Sequence, residues 1–151
     1  MAGQGEIDLL NGLIVACEDG AQAYRSALKE IDDRDLKQVF YDLAIAREHT
    51  AARLRNTVHE LGGTPKESGS ASGLALRVYA DLKTALSTFE EKAILEELDR
   101  SEERTVGRFR SALRTDLPAD VKKIVRVCQN DVLASRQEID ALRQEVAGKA
   151  S

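Results

Sequence analysis

Apolar residues recur every three to four positions along most of this chain, which is the repeat of one buried helix face. Leu10, Leu13, Cys17, Gly20 or Ala21, Tyr24 and Leu28 form the first such ridge and predict a helix over 6–30. A second ridge, Leu36, Phe40, Leu43, Arg47, Thr50, Leu54, Val58 and Leu61, predicts a helix over 33–62. A shorter one follows at Leu74, Val78, Leu82 and Leu86, for a helix over 72–87. The ridge Leu95, Leu98, Glu102, Thr105, Phe109 and Leu113 predicts 89–114. The last, Val121, Val125, Cys128, Val132, Ser135, Ile139, Leu142 and Val146, predicts 117–147.

The punctuation between ridges agrees with these spans. Asp32 or Asp33 can cap the second helix by accepting from its free amides. Gly62 and Gly63 stop it, with Pro65 just beyond. Residues 63–72 are rich in Gly, Ser and Thr and read as a loop. Thr88 and Glu91 form a T-x-x-E capping box, and Asp116 with Pro118 marks a further stop and start. The expected architecture is all-α and a single domain over 1–151. It is a four-helix bundle of two antiparallel hairpins joined by a long crossover that holds the short extra helix. A connector of that length can cross a bundle, as in ferritin-like folds.

Two ridge positions break the apolar pattern. Arg47 and Glu102 each lie where the repeat demands a hydrophobic side chain, and each is near the middle of its helix. A charge there is costly unless it is paired. The reading is a buried Arg47–Glu102 pair whose remaining hydrogen bonds are completed from Tyr24, Gln129, Ser135 and Arg136. Glu96, Glu97, Asp99 and Arg100 read as a solvated face with pairs along the helix.

Composition narrows the function classes. With 22 Lys and Arg against 26 Asp and Glu, the net charge is −4, and both signs alternate along the helices. No basic run suggests nucleic-acid binding. No apolar stretch is long enough for a membrane, and no signal peptide is expected. Two cysteines, Cys17 and Cys128, are too few for a disulfide framework and read as buried thiols. A cytoplasmic location fits these features.

Several strings carry a family resemblance: L-N-G-L-I at 10–14, E-D-G-A-Q-A-Y at 18–24, L-G-G-T-P at 61–65 with S-G-S-A-S-G at 68–73, A-I-L-E-E-L-D-R-S-E-E at 93–103, and D-L-P-A-D-V at 116–121. Together they resemble a bacterial, mostly proteobacterial, ferritin-like four-helix-bundle family of unknown function. The resemblance covers nearly the whole chain. It implies a ferritin-like bundle and no particular activity. Glu102 matches a characteristic position of that family. The family typically has a His where this chain has Arg136, so no histidine-dependent role carries over there.

A ferritin-like di-iron centre needs a Glu from each of two helices and Glu-x-x-His from each of the other two. The histidines here are His49 and His59, preceded three residues earlier by Ala46 and Asn56, so neither completes that motif. The leading expectation is a non-catalytic bundle with no cofactor, acting through its surface or by self-association, with a homodimer as one form. The alternative is a reduced ferritin-like metalloprotein or oxidoreductase holding iron or manganese through Glu102, Glu18 and Glu48. A third reading is an adaptor that docks a protein partner through the 72–87 helix.

Overall fold

The chain folds into four long helices in a computed structural model that describes residues 3–66 and 91–149. They are α1 (Gln4–Glu30), α2 (Arg34–Glu60), α3 (Glu91–Leu113) and α4 (Ala119–Lys149). No strand occurs among the described residues. The expected 72–87 helix and the Thr88 end of the capping box lie outside them. Helix α1 begins two residues earlier than its ridge implied, and α2 ends at Glu60 rather than at the glycines.

Local chemistry sets the α2 boundaries. The Asp33 carboxylate accepts from the amides of Asp35 at 2.9 Å and Leu36 at 3.1 Å, which satisfies two free donors of the first turn. At the other end Gly62 adopts φ 82°. There the Gly62 amide donates to the His59 carbonyl and the Gly63 amide to the Val58 carbonyl, the paired closure of a Schellman turn. A side chain at position 62 would be strained, because L-residues rarely adopt that φ. Gly63 is needed for a different reason: a Cβ there would come within 2.8 Å of Ile7.

The buried residues divide into two apolar clusters. One joins Leu10, Leu13 and Ile14 to Leu54 and Val58, Phe109, and Val121 and Val125. The other joins Ala27, Phe40, Leu43, Leu95, Leu98 and Ile139. The first therefore gathers the start of α1, the end of α2, the end of α3 and the start of α4. The second gathers the opposite ends. It follows that α1 and α2 are antiparallel, α3 and α4 are antiparallel, and α2 runs parallel to α3. Helix α1 packs on α2 and α3, while α4 packs on α3 and α2, so α2 and α3 lie diagonally across the bundle. Contact is most extensive within each hairpin and sparser between hairpins. No helix among the described residues is long and apolar enough to cross a membrane.

Candidate functional site

A polar layer separates the two apolar clusters at mid-height. It is built by the ridge positions that broke the apolar pattern. Arg47 of α2 is 1% exposed, Glu102 of α3 is 2% exposed and Tyr24 of α1 is 1% exposed. The Arg47 Nη2 donates to Glu102 Oε2 at 3.3 Å. The Tyr24 hydroxyl donates to Glu102 Oε1 at 2.8 Å. One carboxylate of the second hairpin thus accepts from both helices of the first. Gly20 makes room for this arrangement, since a Cβ there would stand 3.2 Å from Arg47 Cγ and 3.4 Å from its Cδ. A residue that weakens the α1 helix is retained where the arginine stem crosses it.

The electrostatics follow from burial. Loss of water pushes the Glu102 carboxyl above its ordinary range, against the pull of the Arg47 guanidinium and the Tyr24 hydroxyl. Burial also raises the Tyr24 phenol well above its usual value, helped by the adjacent Glu102 charge. The Cys17 thiol, on the same ridge, is pushed by burial up to about 12, with Arg47 opposing. Cys128 is pushed by burial up to about 11, with Arg53 opposing. Both thiols are free and buried. They are protonated at neutral pH, and a thiol rather than a thiolate is a poor nucleophile and a poor metal ligand.

The other residues expected at this site are held elsewhere. Arg136 reaches outward, pairing with Glu103 at 2.9 Å and Asp99 at 3.8 Å. Ser135 is buried, but its hydroxyl donates back to the Asp131 carbonyl. Gln129 is only half-buried and makes no hydrogen bond to Arg47 or Glu102. As a result Arg47 Nε and Nη1 have no hydrogen-bond partner. The buried hydroxyls of Thr50 and Thr105 each donate to the carbonyl four residues before them, and although their oxygens could still accept, neither takes a hydrogen bond from Arg47.

The solvated face expected at 96–100 is half wrong. Glu97 is 3% exposed and Asp99 is 7% exposed. Arg100 and Arg104 fold over Glu97 at 2.8 Å and 3.2 Å. Arg143 covers Asp99 at 3.4 Å, with Arg136 beside it. Long arginine side chains hide these carboxylates from water, and a helical wheel does not register such covering.

The residues do not fit a di-metal centre. Glu18 pairs with Arg55 and Glu48 with Arg25, while Glu102 pairs with Arg47, so three candidate ligands face three different guanidiniums. His49 and His59 are exposed on α2. Among the described residues no three His, Cys, Asp or Glu side chains converge as a metal site. An arginine held at the centre of the layer would also repel a cation.

An open groove runs between α1 and α3 near the start of α1, with Leu9, Leu13 and Ala112 among its lining residues and Arg104 and Arg108 on the α3 side. It lies toward the first apolar cluster and away from the polar layer. Asp19, further along α1, is raised by partial burial and drawn down by Arg108.

The sequence profile of one family, described as Domain of unknown function (DUF2383), matches residues 5–115. That span holds Tyr24, Arg47 and Glu102 and ends before α4. No curated protein matches the chain.

Proposed function

The chain belongs to the DUF2383 family of domains of unknown function, and on that premise we propose that it is a non-catalytic, ferritin-like bundle whose Arg47–Glu102 core stands in place of a di-iron site. One observation carries this reading. A guanidinium that is 1% exposed donates to a carboxylate that is 2% exposed, at the height where a bundle metal would be ligated. The parallel, diagonal placement of α2 and α3 supports the ferritin-like connectivity, since the short turns of an up-down bundle make consecutive helices antiparallel.

The role of the core is to set how two hairpins meet. Tyr24 and Arg47 belong to one hairpin and Glu102 to the other. Apolar ridges slide past one another at little cost, whereas a buried pair is satisfied in one register. The bundle then acts through its surface or by self-association, needing neither metal nor cofactor. A cytoplasmic location fits its reduced, buried thiols.

Elemental mass spectrometry tests this directly. The full chain is incubated anaerobically with iron(II) or manganese(II), desalted and measured beside Glu102→Ala. The expected content is below roughly a tenth of an equivalent in both proteins. A stoichiometric metal lost in the variant would overturn the proposal and make the core a working site of a reduced ferritin-like metalloprotein.

A further inference from the structure

The two hairpin turns of the bundle differ in charge. At the α3–α4 turn, Arg110, Arg114, Lys122, Lys123 and Arg126 gather against Asp116 and Asp120 of the same turn, while α1 and α2 bring Glu6, Asp8 and Glu60 to this end of the bundle. None of the five cations makes an ion pair among the described residues. Further from this turn the pattern reverses: Arg100, Arg104, Arg136 and Arg143, on the same two helices, are all paired. Four of the five unpaired cations are exposed and Lys122 is half-buried.

Helix physics explains only some of them. Arg110 and Arg114 sit at the end of α3, where a cation complements the helix dipole. Lys122, Lys123 and Arg126 sit at the start of α4, where the dipole opposes them. Lys122 and Arg126 are also like charges four residues apart, which repel. This end therefore carries charge that its own fold does not use.

The opposite end offers the counterpart. Glu30, Asp32, Asp33 and Asp35 surround the α1–α2 turn, all exposed, with Arg34 between them and Lys29 and Lys37 on either side. Asp33 caps α2. Glu30, by contrast, lies at the end of α1, where an acid is disfavoured. Because α1 and α2 meet at one end of the bundle and α3 and α4 at the other, these patches face in opposite directions.

We propose that the basic α3–α4 turn docks the acidic α1–α2 turn of a second copy of this chain, in a head-to-tail association. Each copy carries both halves, so the contact is heterologous and leaves a free patch at either end for another copy. The net charge of −4 favours a compact acidic patch over a polyanion, because the rest of the surface repels the latter. The contact is ionic and exposed, so salt screens it. This inference rests on residues distant from the polar core and stands or falls separately from the metal test.

Sedimentation velocity on the full chain over a concentration series tests it. The expected result is a weight-average mass that rises with concentration at low salt and returns to the monomer at high salt. Arg114→Glu with Arg126→Glu should weaken association by roughly tenfold or more, as should Glu30→Lys with Asp32→Lys. A mixture of the two double variants should recover a one-to-one complex, since one retains its acidic end and the other its basic end. Thermal melts establish that both variants are folded. A wild-type chain that stays monomeric at low salt overturns the proposal, as does association that neither double variant weakens. Binding of a short DNA duplex or of phosphatidylserine vesicles by monomeric wild type, lost in the arginine variant, would also overturn it and assign the basic turn to phosphate.

Discussion

Glu97 and Glu102 lie five residues apart on α3 and project roughly 140° from one another. Their side chains are about equally hidden, at 4% and 2% exposed. Their partners are not. Arg100 and Arg104 over Glu97 are 60% and 33% exposed, whereas Arg47 against Glu102 is 1% exposed. The guanidiniums over Glu97 reach water and can turn back to it. The one against Glu102 has nowhere to go. Burial of a carboxylate therefore says little by itself, and the fate of its cation decides what the pair does for the fold.

Removing each acid should separate the two cases most widely. Glu102→Ala leaves a charged arginine in the core and should destabilise by about 3–5 kcal/mol, with Arg47→Met added to it recovering much of the loss. Glu97→Ala leaves two arginines beside solvent and should cost about 1 kcal/mol or less. Urea midpoints at neutral pH measure both, and equal losses would show that the two sites do not differ in kind.

A smaller effect tests how tightly Arg47 is held. Gly20→Ala gains about 1 kcal/mol of helix propensity but crowds the arginine stem, and overpacking costs about 1–3 kcal/mol. A net loss of about 1 kcal/mol is expected, read by thermal melts. A net gain would mean that the arginine moves aside freely and that its position is not fixed.

The faintest signal is in pH. Burial raises Glu102 in the folded state, so folded protein keeps that proton to higher pH than unfolded protein does. Within that window the folded state binds more protons, and stability must fall as pH rises. Below the window Glu102 is protonated in both states and its penalty is absent. Relative to Glu102→Gln, the wild type should lose stability from acid toward neutral pH. A difference that instead grows with pH would show Arg47 dominating desolvation and holding the carboxylate below its ordinary range.

The four described helices and the unusual standing of Arg47 and Glu102 could be read from residue order, because a 3.6-residue ridge leaves a charge conspicuous. Tyr24 joined them because it lies on the α1 ridge. Gln129 and Arg136 could not be placed in this way. Arg136 is drawn outward by Glu103 and Asp99, which become its neighbours only when α3 and α4 pack. Glu97 and Asp99 escape a helical wheel for a related reason: what covers them is side-chain reach from Arg100, Arg104 and Arg143. The one trace in the sequence was Arg at three and seven residues after Glu97. Gly20 stands on the α1 ridge, and what approaches it is the stem of Arg47.

The course of the helices has a mechanical consequence. Helix α1 starts at the end of the bundle where α4 also starts, and α4 finishes at the far end. A force applied between the start of α1 and the finish of α4 runs along the helix axes. The hairpins would be loaded in shear, with the Glu102 bridge resisting slippage, instead of being peeled apart turn by turn.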